Sequence, residues 1–259
     1  MSTFILVPGA WLGAWVWQDV AAGLRDRGHQ VHPMSLTGLA DRRHLAGTWV
    51  NADTHITDIV NLVEYEDLTD AILVGHSYAG AVPVPGAAHR IGDRLSHVVF
   101  LDSAPLDAGR SMTDLMEPEM VDDLLAAAAD SPGGWQYAFP DRLSRQADTT
   151  GLTPSITQRM RDKATPQPIG TYTQPLSLPG APIGDPRRVL IACADFQKLL
   201  DTDNPALSAV TGPNLRRYDL DTGHWAMLSE PRLLTDVLAR IPDRVRSGIR
   251  VGARPGDRG

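Results

Sequence analysis

Apolar residues along the chain fall into two alternating patterns, short continuous runs and longer segments with helical spacing. The continuous runs predict six buried strands, at Thr3–Val7, Gln30–Leu36, Ala71–Val74, His97–Leu101, Arg188–Ala192 and Leu215–Leu220. The clearest helical stripe comes near the end of the chain and consists of Leu233, Leu234, Val237, Leu238, Ile241 and Val245. Strands that alternate with helices predict an α/β fold, in which a mostly parallel sheet of about six strands is flanked by helices.

One interval, between the strands that end at Leu101 and begin at Arg188, departs from this alternation. Its roughly 85 residues are too many for a structureless loop in a compact domain, and they contain eleven of the twenty prolines and four of the seven methionines. Helical spacing within Ser111–Ala129 and Pro154–Ala164 predicts a helical lid inserted before the penultimate strand. We therefore divide the chain into a core (1–102 and 188–247), a lid (103–187) and a flexible tail (248–259).

Charge and cysteine content act mainly by exclusion. The formal net charge is −7, and residues 240–259 hold six Arg and two Asp, so the rest of the chain sums to −11. A body this acidic disfavours binding to the phosphate backbone of nucleic acids. The single cysteine, Cys193, excludes an intrachain disulfide and gives no indication of an oxidising compartment.

The apolar start of the chain raises the question of a signal peptide. No Lys or Arg precedes Arg25, and Pro8-Gly9 interrupts the apolar run, so the pattern does not fit one. No apolar stretch approaches the ~18 residues that a membrane-spanning helix needs. We therefore expect a soluble, cytoplasmic protein that does not contact membranes; its sequence carries no signal for an oligomeric state.

The strongest chemical motif is Gly75-His-Ser-Tyr-Ala-Gly80, a variant of G-x-S-x-G with Ala79 in place of the final glycine, and it directly follows the predicted strand Ala71–Val74. A strand that feeds a sharp turn forces the central residue into strained backbone angles and pushes its hydroxyl out of the sheet edge. Side chains at Gly75 and Gly80 would collide with the neighbouring strand and helix. We therefore expect Ser77 to be a nucleophile.

A serine hydroxyl needs a base to take its proton, and the base needs a carboxylate to orient it. Where the serine follows such a strand, the order along the chain is serine, acid, histidine. Of the eight histidines only His224 follows the last strand, so we expect it to be the base. Asp195, just after the strand Arg188–Ala192, is the preferred acid. The alternatives are Asp102, directly after the preceding strand, and the more distant Asp201 and Asp203.

An oxyanion hole requires two backbone N–H groups aimed at the charge that develops on the substrate. We expect one from Tyr78, just after the nucleophile. We expect the other from Ala10, in the turn after the first strand, where Gly9 lets the backbone approach closely.

At these residues the chain resembles the α/β-hydrolase superfamily, and within it the branch of plant methyl-ester esterases, hydroxynitrile lyases and bacterial carboxylesterases such as the pyrethroid-type enzymes. The resemblance runs through Val7-Pro-Gly-Ala-Trp-Leu-Gly, Leu36-Thr-Gly-Leu, the Ser77 motif, Thr165-Pro-Gln-Pro and Gly223-His-Trp-Ala-Met-Leu-Ser-Glu-Pro. The chain departs from the family at Pro8, where His is usual. Pro83 and Pro85 lie where the helix after Ser77 should run, so we expect that helix to be kinked or to start late.

The resemblance implies a serine carboxylic-ester hydrolase that acts without a cofactor on a small or medium hydrophobic ester. Lyase or other C–C bond chemistry on the same triad, and a non-catalytic small-molecule receptor, remain alternatives. Lyase members would have Lys after the catalytic His and Thr at the position of Gly9, whereas this chain has Trp225 and Gly9.

Three further residues are candidate lining of a substrate pocket: Trp11, Met116 and Trp225. The methionines of the interval 103–187 suit both a gap-filling core and an adaptable pocket wall. Sequence motifs for metal ions, phosphates and dinucleotides are missing, so we expect no metal site.

Overall fold

The computed structural model describes residues 1–182, 184–202, 205–211 and 215–242. Its main sheet has six parallel strands in the order β2-β1-β3-β4-β7-β8. These strands are β1 (Thr3–Val7), β2 (Gln30–Pro33), β3 (Ala71–His76), β4 (Leu95–Leu101), β7 (Arg187–Ala192) and β8 (Arg216–Asp219). All six lie where the sequence predicts them, and the parallel α/β prediction is confirmed. β2 ends earlier than predicted.

Helices cover both faces of the sheet. They are α1 (Gln18–Arg25), α2 (Ala52–Tyr65), α3 (Tyr78–Ala81), α4 (Pro83–Ile91), α5 (Pro118–Ala129), α6 (Pro154–Lys163), α7 (Gly170–Thr173), α8 (Ala194–Leu200), α9 (Ala226–Ser229) and α10 (Pro231–Ala239). Helix α1 packs against α10, and α2 packs against α4. Successive β1 residues, Phe4 and Ile5, join different hydrophobic clusters, as expected for a sheet buried on both sides.

The strand order reverses at β1, which lies between β2 and β3. In open α/β sheets ligands bind outside the carboxyl ends of the strands at such a reversal. The turn after β1 and the turn after β3 meet at this point, so the topology alone places the Gly9 and Ser77 turns together.

The helix that follows Ser77 is broken. Helix α3 ends at Ala81, Val82 leaves the helical region (φ −121°, ψ −71°), and α4 begins with Pro83 in its first turn. A proline fits there because first-turn N–H groups have no helical partner. The interruption expected from Pro83 and Pro85 is therefore present.

The segment between β4 and β7, residues 102–186, is called the insertion below. It holds α5, α6, α7, a 3-10 turn (Met112–Leu115) and a two-stranded antiparallel ribbon of β5 (Gln136–Tyr137) and β6 (Gln167–Pro168). Helix α5 begins at Pro118, later than the Ser111 start expected from the sequence, because Met116 and Glu117 adopt extended angles.

Two predictions concern the C-terminal end of the chain. Val245, the last residue of the predicted terminal stripe, and the tail 248–259 lie outside the described residues. No helix in the described part of the chain is long and apolar enough to cross a membrane.

Candidate active site

Ser77 lies at a strained turn between β3 and α3. Its backbone has φ 53° and ψ −123°, a region that non-glycine residues rarely adopt. A Cβ at Gly75 would lie 2.8 Å from the Gly80 nitrogen, and one at Gly80 would lie 2.8 Å from the Gly75 carbonyl oxygen. Ala79 stands where the motif's final glycine is usual, and it is fully buried. The turn therefore depends on Gly75 and Gly80, as expected from the sequence.

Asp102 follows β4 and also has a left-handed backbone, with φ 49°. Its N–H donates to the Ile191 carbonyl oxygen over 2.8 Å, and its carboxylate Oδ1 accepts the Cys193 N–H over 2.9 Å. These bonds to β7 and its end fix the carboxylate. The other oxygen, Oδ2, lies 2.5 Å from His224 Nδ1, and both side chains are largely buried. Asp102 is thus the carboxylate that orients His224.

This placement corrects the preference for Asp195. Helix α8 begins directly after β7, so Asp195 lies in its first turn, where its carboxylate is 60% exposed and binds Lys198 Nζ over 2.7 Å. Among the described residues, no hydrogen bond joins this carboxylate to His224. Asp201 is the C-cap residue directly after α8, and Asp203 lies outside the described residues.

His224 is held through its main chain as well. Its carbonyl oxygen accepts a hydrogen bond from His76 Nε2–H over 2.9 Å. Because a carbonyl can only accept, Nε2 of His76 carries the proton, and burial together with nearby His224 keeps the pKa of His76 well below its usual value. His76 is therefore neutral and acts as a structural partner of the His224 loop, a role that the sequence did not indicate.

The turn after β1 approaches the Ser77 turn closely. A Cβ at Gly9 would lie 2.8 Å from His76 Nδ1 and 3.1 Å from Ser77 Cβ. Trp11 has φ 64°, and its N–H donates to Gln167 Oε1 of the insertion over 2.8 Å. The N–H groups of Ala10 and Tyr78, the expected oxyanion donors, bind no acceptor among the residues that the structure describes. Of these two residues, Ala10 lines the cavity described below.

The side-chain hydroxyl of Tyr78 belongs to a buried chain of hydrogen bonds. His55 Nε2 donates to the Thr37 carbonyl oxygen over 2.8 Å, so its Nδ1 accepts the Tyr78 hydroxyl over 2.9 Å. Thr37 is itself fixed by the Asp58 carboxylate through N–H and hydroxyl bonds of 2.6 and 2.8 Å. Burial lowers the pKa of His55 to about 4. Sequence reasoning missed His55 because a lone histidine on the buried side of a helix carries no local signal.

A cavity of about 320 Å³ opens at these residues. From the core it is lined by Gly9, Ala10, Trp11, Leu12, His76, Ser77, His224 and Trp225, and from the insertion by Met112, Leu115, Met116, Glu117, Met120, Tyr137, Gln146, Ala147 and Tyr172. Ser77 and His224 thus share one cavity. Trp11, Met116 and Trp225, the candidate lining residues, all border it.

The insertion gives the cavity its flexible and aromatic wall. Three of its methionines line the cavity, whereas Met160 is fully buried in the core. Tyr172 stacks on Tyr78 with an interplanar angle of 7° and contacts Trp11 at 6.3 Å between ring centroids. The sequence pattern did not single out Tyr137 or Tyr172. Within the described residues no group of three His, Cys, Asp or Glu side chains could hold a metal ion.

Comparison with known proteins identifies the family to which the chain is related. Residues 4–237 match the sequence model of the alpha/beta hydrolase family. A carbendazim hydrolyzing esterase from Nocardioides sp. is 33% identical over 257 residues, covering 93% of this chain and all of that protein. Methylesterase 9 of Arabidopsis thaliana is 24% identical, covering 94% of this chain and 99% of that protein.

Solved structures share the fold. An extracellular alpha/beta-hydrolase from a Paenibacillus species, described as a structural and functional homologue of tobacco salicylic acid binding protein 2, aligns with a TM-score of 0.73 and 21% identity. It covers 93% of this chain and 98% of that one. Methylesterase MES16 from Arabidopsis aligns with a TM-score of 0.68 and 20% identity, covering 93% and 98%.

Proposed function

The chain belongs to the alpha/beta hydrolase family, and on that premise we propose that it is a serine carboxylic-ester hydrolase with Ser77, His224 and Asp102 as its triad. The observation that carries the proposal is the 2.5 Å contact between His224 Nδ1 and Asp102 Oδ2 at the cavity that holds Ser77. The esterase and methylesterase relatives support the same activity.

The chemistry follows from the tautomer. The Nδ1–H of His224 donates a hydrogen bond to Asp102, which leaves Nε2 free to take the Ser77 proton as the hydroxyl attacks the ester carbonyl. Negative charge then develops on the carbonyl oxygen, and the N–H groups of Ala10 and Tyr78 stabilise it. His224 protonates the leaving alcohol. It then takes a proton from a water molecule that attacks the acyl-enzyme carbonyl, and it returns that proton to Ser77 as the acid product leaves.

Ester hydrolysis is favoured over lyase chemistry by the packing at Gly9. A threonine there, as in lyase members, would place its Cβ 2.8 Å from His76 Nδ1. The position after His224 is Trp225, whose aromatic ring lies edge-on to the His224 ring at 5.0 Å and supplies no cation. Both residues that distinguish the lyases are therefore missing from this chain, and a threonine side chain at position 9 would not fit beside His76.

The cavity favours small, flat, apolar esters. Its volume of about 320 Å³ lies near the lower end of ligand pockets, and seven of its seventeen lining residues are methionine, tryptophan or tyrosine. We propose methyl and other small-alcohol esters of aromatic acids as substrates, a class suggested by the methylesterase relatives. Carbendazim, hydrolysed by the Nocardioides relative, is a further compound to test.

The insertion would serve as the lid, because it supplies more than half of the residues that line the cavity and contributes no strand to the main six-stranded sheet. The acidic body of the chain favours a free small molecule over nucleic acid as the partner. The cytoplasmic location and the flexibility of the tail 248–259 stay predictions.

A direct test is a screen of p-nitrophenyl and methyl aryl esters with the purified protein, followed by labelling with a fluorophosphonate. We expect hydrolysis and a single adduct on Ser77, with no effect of EDTA. An adduct on another residue, or activity that chelation removes, would contradict the proposal.

A further inference from the structure

A turn of the insertion is bonded directly to the loop that carries His224. The His224 N–H donates to the Asp148 carbonyl oxygen over 2.9 Å, and the Gly223 N–H donates to the Thr150 carbonyl oxygen over 3.2 Å. The proposed mechanism makes no use of these bonds. They nevertheless fix the main chain from which the proposed base projects.

The carboxylate of Asp148 shapes this turn. Its Oδ1 accepts the Thr150 N–H over 2.9 Å and the Thr150 hydroxyl over 2.7 Å. Such a side-chain-to-backbone bond two residues ahead stabilises a tight turn, and here it accompanies the arrangement in which both carbonyl groups face the His224 loop. The Thr150 bonds also lower the pKa of the Asp148 carboxyl, so the carboxylate is ionised and accepts at neutral pH.

Glycine at 223 is required by the closeness of the turn. A Cβ there would lie 2.6 Å from the Thr150 carbonyl oxygen and 2.7 Å from that of Asp148. Gly223 is not among the residues with positive φ, so its conformation is open to alanine. Contact with the turn, and not backbone freedom, is therefore what excludes a side chain.

The same segment borders the substrate cavity. Gln146 and Ala147 line the cavity beside Ser77 and His224, and Asp148 follows them directly. The residues that border the substrate cavity and the residue that bonds to the His224 loop are thus consecutive in the sequence.

We propose that Asp148 is a positioning residue for His224: through the turn 148–150 it holds the main chain of the proposed base in the place where the imidazole bonds to Asp102, at the cavity that Ser77 also lines. The insertion is then part of the catalytic geometry as well as a cover for the cavity. This inference rests on the proposed ester hydrolase function. A base displaced by about 1 Å can lower the rate roughly 100-fold without changing substrate binding.

The test compares Asp148→Ala with Asp148→Asn, using p-nitrophenyl butyrate and a fluorophosphonate that reacts with Ser77. Alanine removes both bonds to Thr150, and we expect kcat and the rate of Ser77 modification to fall together by about 10- to 100-fold, with KM changed less than about twofold. Asparagine keeps an oxygen that accepts both bonds, so it should restore most of the loss. The melting temperatures of both variants are compared with that of the wild type, to show that the variants are folded.

Asp141→Ala is the matched control. Asp141 is an exposed aspartate of the same insertion, and within the described residues only its carbonyl oxygen, not its carboxylate, accepts a hydrogen bond. We expect this variant to behave as wild type. Gly223→Ala tests the contact itself, since its methyl group must push the turn away, and it should reproduce the kcat loss of Asp148→Ala.

The outcomes separate the two proposals. A wild-type protein that neither hydrolyses esters nor reacts with the fluorophosphonate refutes the proposed function. An active wild type in which Asp148→Ala or Gly223→Ala keeps full kcat refutes the positioning role, and so does an asparagine variant as impaired as the alanine one. If Asp148→Ala fails to fold, Gly223→Ala and Thr150→Val, which removes only the hydroxyl bond, decide by the same criteria.

Discussion

His224 Nδ1 lies 2.5 Å from Asp102 Oδ2, although 122 positions separate the two residues along the chain. Asp102 is the residue directly after β4, and His224 follows β8. The two meet because β4 and β8 flank β7 in a parallel sheet, so their carboxyl ends open at the same edge.

The first prediction separates the two candidate acids. Asp102→Asn keeps the shape of the side chain but favours the wrong imidazole tautomer, so kcat should fall by about 10⁴. Asp195→Asn should stay close to wild type, because the Asp195–Lys198 ion pair is exposed to solvent and Asp195 makes no hydrogen bond to His224 among the described residues. Steady-state kinetics of both variants on one ester decide between the two residues. A strongly reduced kcat in the Asp195 variant would show that the acid of the triad is Asp195, after β7.

The second prediction concerns the nucleophile. Ser77→Ala should lower kcat by roughly 10³- to 10⁶-fold, because no other group can form the acyl-enzyme. Its melting temperature should not fall, since alanine suits the tight turn at least as well as serine. A folded Ser77→Ala protein that keeps most of its activity would rule out the serine mechanism.

The third prediction concerns the oxyanion donor at residue 78. Tyr78→Phe removes the hydroxyl that His55 Nδ1 accepts, leaving a buried acceptor without its partner. We expect a loss of about 1–3 kcal/mol in the free energy of unfolding. We also expect a kcat reduction of about tenfold as the residue 78 N–H shifts. Tyr65→Phe is the control, because Tyr65 lies at the exposed end of α2; equal effects in the two variants would argue against this role of Tyr78.

The fourth prediction tests the approach of the β1 turn to Ser77. Gly9→Ala introduces a methyl group 2.8 Å from His76 Nδ1, and one of the two turns must move. Overpacking of this kind costs about 1–3 kcal/mol, and kcat/KM should fall by about 10- to 100-fold because both oxyanion donors flank the contact. Urea unfolding and ester kinetics measure the two effects, and wild-type values for both would show that the contact is not tight.

The fifth prediction concerns acid stability. Burial lowers the pKa of His55 from 6.5 to about 4 and that of His76 in the same direction. Between these values the unfolded chain binds more protons than the folded one, so stability is full above pH 6.5 and is lost as the pH falls toward 4. The melting temperature should drop between pH 7 and pH 5, and the drop should be smaller in His55→Gln. An identical pH dependence in that variant would mean that His55 does not titrate as described.

The local parts of the site could be predicted from sequence. Ser77, Gly75 and Gly80 follow from the strand and the turn that it must make, since φ/ψ requirements act within a few residues. Gly9 and Ala10 follow from the same kind of turn after β1. His224 was found by its order after the last strand, a rule about topology and not about contacts.

The identity of the acid could not be settled in this way. Asp102 and Asp195 each follow a strand of the same sheet, and strand order alone gives both access to the edge where His224 lies. What decides is that α8 begins at once after β7 and turns Asp195 toward Lys198, whereas Asp102 is fixed by bonds to Ile191 and Cys193.

The amino-acid sequence by itself determined the parallel sheet, the nucleophile turn and the loop histidine, because these depend on hydrophobic periodicity and on backbone angles set by near neighbours. Only the tertiary structure decided the Asp102–His224 pair, the His55–Tyr78 hydrogen bond and the main-chain hydrogen bond from His224 to Asp148. Each of these joins side chains or carbonyl groups from segments far apart in sequence. Hydrogen bonds form over about 3 Å, and the relative placement of such segments to that accuracy is fixed only when the whole core has packed.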